Sequence, residues 1–235
     1  MNILIAGASS SIAQALMTEL TNLGHSIYSI SRSMNIHHSL VPAQHLTIDL
    51  SQATCLPTLR AFVMVAQPDV VFCCTGLLHN AEHMPEKTLS QINADWLHES
   101  IDANILPHIH LAQAIAPLLT RSHCIKWISL SALVGSIEDN RLGGWYSYRM
   151  SKAALNMFIK NLSIEWGRKS SNNIVVAQHP GTTKSHLSKP FQANISDDHL
   201  FSSELTAKRL IEVMQHLSPQ QHGKLLHWDG TVLPY

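Results

Sequence analysis

Strand-like and helix-like segments alternate along the whole chain, and this alternation restricts the possible folds more than any other feature. Apolar segments of strand length are predicted at residues 2–6, 25–30, 44–48, 69–74, 123–130, 173–178 and 224–227. Helical spacing predicts helices at residues 12–23, 56–67, 94–119, 146–166 and 204–217, the third of them bent near Pro107. This order predicts an α/β fold with one doubly wound parallel sheet and helices on both faces.

The chain of 235 residues contains no repeat and no long linker, so we expect one domain over residues 1–235. Two stretches, 77–88 and 181–198, are predicted to be loops near the carboxyl ends of strands. Ligands of open α/β sheets bind at that edge. We therefore expect these two loops to border the functional site.

The bulk composition bears on several classes of partner. The net charge is zero, which gives no indication of a nucleic acid or an anionic membrane as partner. The four cysteines follow no metal or disulfide spacing, and we expect no metal site. No apolar window is long enough to span a membrane, and the amino terminus does not resemble a signal peptide. We expect a cytoplasmic protein.

A glycine and a run of small residues follow the first predicted strand and lead directly into a helix. Gly7 permits a tight turn, and small side chains let the backbone approach a diphosphate at the positive helix amino terminus. The turn predicts a dinucleotide site formed by Gly7, Ser9, Ser10, Ser11 and Ile12. An ordinary capped helix start, with Ser10 or Ser11 as the N-cap, is the alternative.

Tyr148 and Lys152 lie four residues apart in a segment that is predicted to be helical. One helical turn separates them, so both side chains emerge on the same face. A nearby ammonium favours the phenolate and should lower the pKa of the phenol. The pair is suited to passing a proton to or from a carbonyl or alcohol oxygen.

Taken together, these motifs resemble those of the short-chain dehydrogenase/reductase family, along essentially the whole chain. In the family's T-G-x-x-x-G-x-G turn, Gly7 is kept, while Ser11 and Ala13 replace the two later glycines. The resemblance implies a Rossmann-type fold and a nicotinamide cofactor. It also assigns Asn104 as the active-site asparagine, Tyr148 and Lys152 as the catalytic pair, and Thr75, Gly76, Pro180, Gly181, Thr182 and Thr183 as residues beside the cofactor.

The catalytic serine of the family has no direct counterpart. Counting back three residues from Gly135 leads to Ala132, and counting back thirteen from Tyr148 leads to Gly135 itself. Ser131 is the nearest hydroxyl, and we assign it the serine's role. Ser136 and Ser129 are lesser candidates.

The end of the second predicted strand bears on the choice of cofactor. An acidic residue there holds the ribose 2′-hydroxyl of NAD, whereas an arginine accommodates the 2′-phosphate of NADP. This chain has no acid and one arginine, Arg32, flanked by Ser31 and Ser33. We expect NADP(H) to be preferred over NAD(H), with an ordinary surface arginine as the alternative. Asp49, followed by Leu50, resembles the family's adenine contact.

The reaction that the resemblance implies is hydride transfer between nicotinamide C4 and the carbonyl carbon of a small carbonyl or alcohol substrate. Tyr148 would supply the proton as general acid. Lys152 would lower the pKa of the tyrosine and hold the nicotinamide ribose. Ser131 would orient the carbonyl, and Asn104 would position a water that links Lys152 to solvent. A homodimer or homotetramer is expected, because pairing through the helix of Tyr148 is common in this family.

Several runs of sequence also resemble the C-factor-like subgroup of the family. They lie at residues 75–79, 135–140, 143–149, 179–182 and 229–230. The subgroup's name comes from intercellular signalling, so an alternative function is a cofactor-binding signalling or regulatory protein with little or no turnover. The intact Asn104, Tyr148 and Lys152 favour the enzyme, whereas the displaced serine and the substituted glycine turn favour the alternative.

Overall fold

The computed structural model of the chain describes residues 1–33 and 44–235, and one central sheet dominates this part. Its strands are β1 (Asn2–Ala6), β2 (Ser26–Ser31), β3 (Gln44–Thr47), β4 (Val70–Cys73), β5 (Lys126–Leu130), β6 (Ile174–Gln178), β9 (Leu225–Leu226) and β10 (Val232–Leu233). They are ordered β10-β9-β6-β5-β4-β1-β2-β3. Neighbouring strands are parallel except for the antiparallel pair β9–β10 at one edge.

Helices cover both faces of the sheet, which confirms the predicted doubly wound fold. They are α1 (Ser11–Asn22), α2 (Leu56–Ala66), α3 (Ala94–Asn104), α4 (Leu106–Ile115), α5 (Tyr146–Lys169) and α6 (Ser203–His216). The buried residues of α1 and α6 pack on one face, and those of α2, α4 and α5 pack on the other. The second core contains the fully buried Trp127 and Trp166, whose rings meet edge to face with centroids 5.5 Å apart.

The helix predicted at residues 94–119 is interrupted earlier than expected. Its two halves, α3 and α4, meet at Ile105, whose backbone angles (φ −123°, ψ −51°) depart from helical values. The break lies before Pro107, which occupies the first turn of α4, where its missing N–H is not needed. Asn104 is therefore the last residue of α3.

Three further strands were not predicted from the sequence: β10, at the edge of the main sheet, and two strands that form a second sheet. β7 (Thr182–Thr183) and β8 (Leu200–Phe201) pair in parallel as a separate two-stranded sheet. Each is only two residues long, too short for an alternating pattern to be recognised. Their pairing joins the two ends of the predicted loop 181–198.

The strand order reverses direction between β1 and β4, and the carboxyl ends of these strands form the crevice where ligands of such sheets bind. Gly7 follows β1 at this point, and Cys74, Thr75 and Gly76 follow β4. Within residues 1–33 and 44–235, no helix is long and apolar enough to cross a membrane.

Candidate active site

A cavity of about 400 Å³ lies in this crevice, between the start of α1 and the end of β4. Many of the residues that the sequence analysis assigned to the cofactor line it: Gly7, Ser9, Ser10, Arg32, Asp49, Leu50, Thr75 and Gly76. Ser11, Ile12, Tyr148, Lys152, Pro180, Gly181, Thr182 and Thr183 do not line it. The residues expected to bind the diphosphate and the adenosine thus mostly line one cavity. The residues expected to lie beside the nicotinamide mostly do not line it.

The turn after β1 has the geometry of an anion site. Gly7 has φ +78°, and a Cβ there would lie 2.9 Å from the backbone carbonyl of Cys74, so a side chain would clash with the backbone. Ser10 is the N-cap of α1 and accepts from the amide of Ala13 (3.3 Å). Within the described part of the chain, the amides of Ser11 and Ile12 have no hydrogen-bond acceptor. These residues fit the diphosphate of a dinucleotide without further change.

Arg32 and Asp49, the two residues expected near the adenosine, both line the cavity. Arg32 is exposed directly after β2, while Asp49 follows β3 and accepts from the amide and hydroxyl of Ser51 (2.9 and 2.8 Å). The hydroxyl of Ser31 is engaged with the carbonyl of Ser33. Of the two serines that flank Arg32, Ser31 is therefore already hydrogen-bonded within the protein and Ser33 is exposed.

Tyr148 and Lys152 occupy one face of the first two turns of α5, as their spacing predicts. The Lys152 ammonium lies 5.9 Å from the centroid of the Tyr148 ring and donates to the carbonyl of Leu130 at the end of β5 (3.0 Å). The side chain of Lys152 is 2% exposed and that of Tyr148 is 9% exposed. Among the described residues, the Tyr148 hydroxyl has no hydrogen-bond partner, so it remains available to a substrate oxygen.

Burial shifts the pKa of both groups towards the neutral form. It raises the pKa of the Tyr148 phenol above its ordinary value and lowers the pKa of the Lys152 ammonium to about 8. The expected lowering of the tyrosine pKa by the lysine is therefore not the net effect in this structure. Desolvation is the main cause of both shifts, and the ammonium donates to the Leu130 carbonyl.

Asn104 links three elements at the bottom of the site. Its amide nitrogen donates to the carbonyl of Leu77 (2.8 Å) and to the Ser151 hydroxyl (3.0 Å), and its oxygen accepts from the amide of Leu77 (2.7 Å). A Cβ on Gly76 would lie 3.4 Å from Asn104 Oδ1 and 3.6 Å from Lys152 Nζ. Gly76 thus connects the cavity to the Tyr148–Lys152 pair.

Ser131 is hydrogen-bonded to Asn156, and not to Tyr148, in this structure. Its hydroxyl donates to Asn156 Oδ1 (2.7 Å) and is buried. Asn156 is two turns beyond Tyr148 on α5, or about 12 Å along the axis at the helical rise per residue. Sequence counting could not reveal this, because the direction of the side chain is set by the packing of β5 against α5.

The two lesser serine candidates are also engaged elsewhere. Ser129 is bound to His108 Nδ1 and to the Trp127 indole (both 2.8 Å), and Ser136 accepts from the amide of Asp139 (3.1 Å). Gly135 packs directly on α5, since a Cβ there would lie 2.8 Å from Lys152 Cβ. Of the two counts for the family's serine, the one from Gly135 leads to Ala132, which has no hydroxyl.

The segment after β6 approaches the site from the opposite side. Gly181 has φ +79°, and a Cβ there would lie 2.6 Å from the Phe201 ring, so only glycine fits. Thr183 is buried and shares a hydrogen bond with Thr206 of α6 (2.8 Å), whereas Thr182 is half-buried. Of the two threonines predicted beside the cofactor, Thr183 is thus held by the protein itself.

Aromatic rings from three loops form a continuous group next to Tyr148. Trp145 contacts both Tyr148 and Phe191, with ring centroids 6.3 and 5.0 Å apart, and Phe191 contacts His79 (6.0 Å). His79 in turn stacks on His186 (5.6 Å). Trp145, Phe191 and His79 are only half-buried, so they offer an aromatic wall beside the Tyr148 ring.

One polar residue near Tyr148 was not predicted from the sequence. Glu86, in the loop 77–88, is 3% exposed and binds the first turn of α5 through Ser147 and Trp145. The sequence contains no signal for it, because a single acid in a loop normally faces solvent.

Comparison with known proteins identifies the family to which this fold belongs. Residues 1–196 match the family model for short chain dehydrogenase. The chain belongs to the short-chain dehydrogenase family. It is accordingly an NAD(P)-dependent oxidoreductase that acts between alcohol and carbonyl groups, and its substrate is a small molecule.

Two curated relatives within the family are informative. A 1-hydroxy-2-glutathionyl-2-methyl-3-butene dehydrogenase of Rhodococcus sp. (strain AD45) is 30% identical over 167 residues, which are 71% of this chain and 68% of the relative. The C-signal of Myxococcus xanthus is 26% identical over 132 residues, covering 56% of this chain and 74% of the relative. The second match supports the C-factor-like resemblance loosely.

Solved structures of the family share the fold over the whole chain. The carbonyl reductase Sniffer of D. melanogaster superposes with a TM-score of 0.84 at 24% identity, covering 100% of both chains. An NADPH-bound carbonyl reductase from chicken fatty liver gives 0.82 at 20% identity, covering 100% of this chain and 98% of the other. At these identities the likeness establishes the fold.

Proposed function

We propose that this short-chain dehydrogenase reduces small carbonyl compounds with NADPH, and oxidises the corresponding alcohols in the reverse direction. The observation that carries the proposal is that Lys152 and Asn104 meet at Gly76, a lining residue of the cavity that Gly7 and Arg32 also line, while the Tyr148 ring lies beside Lys152. A cofactor extended along that cavity would bring its reactive ring towards the Tyr148 hydroxyl.

In the proposed reaction Tyr148 is the proton donor. Burial keeps its phenol protonated at neutral pH, and its hydroxyl has no partner among the described residues, so the proton can pass to a substrate oxygen. The Lys152 ammonium stabilises the charge that develops on the phenol oxygen, and Asn104 holds the surrounding backbone. The nicotinamide, when bound, supplies the hydride.

The proposed preference for NADP(H) is supported by Arg32. It is exposed, lines the cavity, and follows β2, where no acidic side chain stands to bind a 2′-hydroxyl. A guanidinium there would pair with the 2′-phosphate. Arg32→Asp should therefore weaken NADPH binding and strengthen NADH binding, and an unchanged ratio of the two dissociation constants would refute the assignment.

The aromatic wall next to Tyr148 favours substrates with an apolar or aryl group beside the carbonyl. Trp145 and Phe191 supply flat apolar surface within reach of the Tyr148 ring, where such a group would stack. We propose aryl ketones and aryl aldehydes as the first substrate classes to screen. Trp145→Ala should raise KM for an aryl ketone more than for a small aliphatic one.

The proposed function is tested first by fluorescence titration with NADPH and NADH, and then by a carbonyl screen that follows NADPH oxidation. We expect tighter binding of NADPH, turnover by the wild-type protein, and loss of turnover with retained NADPH binding in Tyr148→Phe. Turnover that survives in Tyr148→Phe would remove the tyrosine as the acid.

A signalling or regulatory role with little turnover is the second candidate function. Ala132 at the family's serine position and Ser131 bound to Asn156 favour it, since the hydroxyl of Ser131 already donates to Asn156 rather than to a carbonyl. The match to the C-signal of Myxococcus xanthus points the same way. NADPH binding without turnover of any carbonyl in the screen would favour this role.

We also propose that α5 joins two copies of the chain in a homodimer or homotetramer. Met150, Met157 and Ile164 are 42%, 62% and 46% exposed, and their spacing of seven residues places them in one stripe along the helix. Burying such a stripe against its own copy would remove it from water. Sedimentation of wild-type and Met157→Lys proteins tests this, and a monomeric wild-type protein would refute it.

A further inference from the structure

The helix that bears Tyr148 begins without a cap of its own. Its N-cap residue, Trp145, has φ +51°, in the left-handed region, and its side chain caps nothing. The first turn of α5 contains no acidic residue. Helix amino termini normally need acceptors for their first amides, from a side chain or from elsewhere.

Glu86 supplies these acceptors from a loop 61 residues away in sequence. Its carboxyl group accepts from the amide of Ser147 (3.2 Å) and, through its other oxygen, from the Ser147 hydroxyl. Its backbone carbonyl accepts from the amide of Trp145 (2.5 Å). Gly144 leaves room for this approach, because a Cβ there would lie 3.3 Å from the Glu86 carbonyl oxygen.

The burial of Glu86 indicates that this contact is specific. The residue is 3% exposed and Ser147 is fully buried, so the carboxyl group is removed from water and both its oxygens are used. A buried carboxyl group is expensive unless it is hydrogen-bonded, and the positive end of a helix is a favourable place for it. Glu82, in the same loop, is exposed and its side chain makes no such contact.

The same loop is anchored at its other end by Asn104, which binds both backbone groups of Leu77. One end of the loop is therefore tied to the end of α3 and the other to the start of α5. Tyr148 directly follows Ser147 in the first turn of α5. The position of the phenol thus depends on the contact between the loop and the helix.

We infer that Glu86 is a positioning residue, which caps α5 from the loop 77–88 and thereby holds the Tyr148 hydroxyl in its reactive position. The claim that Glu86 positions the Tyr148 hydroxyl for reaction rests on the proposed function. The claim that Glu86 caps α5 does not, and it can be tested without measuring turnover.

The test compares Glu86→Ala and Glu86→Gln with the matched control Glu82→Ala. Glu86→Ala should lower kcat by roughly tenfold to a hundredfold, as expected for a small displacement of a reacting group, with little change in KM and in the Kd for NADPH. Glu86→Gln keeps one acceptor oxygen and should recover part of the loss. Glu82→Ala should resemble the wild type. Unchanged kcat in Glu86→Ala, or an equal loss in Glu82→Ala, would overturn the inference.

Hydrogen–deuterium exchange provides the measurement that does not need a substrate. Glu86→Ala should speed exchange of the amides of residues 145–149 and leave those of residues 155–165 protected. Unchanged protection at 145–149 would refute the cap whether or not the enzyme turns over. A wild-type protein without turnover would count against the proposed function alone.

Ser147→Ala covers the case in which Glu86→Ala fails to fold. It removes one donor to Glu86 while keeping the backbone amide, so the helix retains most of its cap. We expect a folded protein with faster exchange at 145–149 and a smaller loss of kcat than in Glu86→Ala. Wild-type exchange and wild-type kcat in Ser147→Ala would contradict the inference.

Discussion

At the scale of single residues, burial decides the protonation states of the catalytic candidates. It raises the pKa of Tyr148 and lowers the pKa of Lys152 to about 8. The phenol therefore stays protonated throughout the neutral range and is suited to donate its proton. Lys152, in contrast, loses its positive charge as the pH rises past about 8.

The rate of carbonyl reduction should fall as the pH rises through about 8, because Lys152 loses its proton there and the charge beside Tyr148 disappears. A kcat profile between pH 6 and pH 10 at saturating NADPH measures this. Lys152→Arg should move the fall to higher pH if it retains turnover, since a guanidinium stays charged. Lys169→Arg, at the other end of α5, should keep the wild-type profile, and a wild-type fall near pH 8 in Lys152→Arg would contradict the assignment.

Ser131→Ala should lower kcat by less than about tenfold, whereas removal of a donor that stabilises an oxyanion costs roughly a hundredfold to a thousandfold. The reason is that its hydroxyl is bound to Asn156 rather than aimed at the substrate. Ala132→Ser is the matched variant. It places a hydroxyl three residues before Gly135, where the family has its catalytic serine, and it should raise kcat. A loss of a hundredfold in Ser131→Ala would show that the serine turns to the substrate during the reaction.

At the scale of secondary-structure elements, the site is assembled by a few long-range bonds between helix ends and loops. α3 stops at Asn104, so the side chain of this residue is free to bind the backbone of Leu77 and the hydroxyl of Ser151 on α5. The amide thus holds a helix end, a loop and a second helix together. Its removal would leave the backbone groups of Leu77 without their partners.

Asn104→Ala should destabilise the fold by about 2 kcal/mol, since the loss of one partner leaves buried polar groups unpaired. Chemical denaturation measures this as a lower midpoint. Asn93, the N-cap of α3, accepts from the amide of Trp96 (3.0 Å) and provides the comparison. Asn93→Ala should cost about 1 kcal/mol, as an ordinary cap does. A smaller loss in Asn104→Ala than in Asn93→Ala would show that the three bonds contribute little.

At the scale of the whole molecule, the sixteen histidines make the charge of the chain sensitive to mild acid. For some of them, protonation in the folded state is unfavourable because the charged imidazolium would be buried away from water. Burial lowers the pKa of His108 well below its usual value, and burial, with a smaller effect of His227, lowers the pKa of His179 to about 4. These residues link folding stability to pH.

Between pH 6.5 and about pH 4, His179 is protonated in the unfolded chain and neutral in the folded one. The unfolded state therefore binds more protons there, and the free energy of unfolding falls as the pH is lowered. Denaturant titrations at several pH values should show a smaller fall in His179→Gln than in the wild type. His98 is exposed, and His98→Gln should follow the wild type. An equal fall in all three proteins would exclude His179 as a contributor.

The sequence by itself determined the order of the helices and of the strands of four or more residues, the doubly wound class, and the pairing of Tyr148 with Lys152. These features depend on local periodicity: apolar residues repeat with the period of the element, and residues four apart share a helix face. The glycine turn at Gly7 was recognisable for the same reason, since its conformation is set by neighbouring residues. The element ends differed from prediction by a few residues, and the break at Ile105 preceded the expected bend near Pro107.

Only the tertiary structure decided which polar groups meet. Ser131 turns to Asn156, 25 residues away in sequence, and Glu86 reaches Ser147 across 61 residues. Neither contact leaves a pattern in the sequence, because a long-range hydrogen bond depends on how complete elements pack. The burial that sets the pKa values of Tyr148 and Lys152 arises in the same way, since desolvation comes from all the surrounding elements at once.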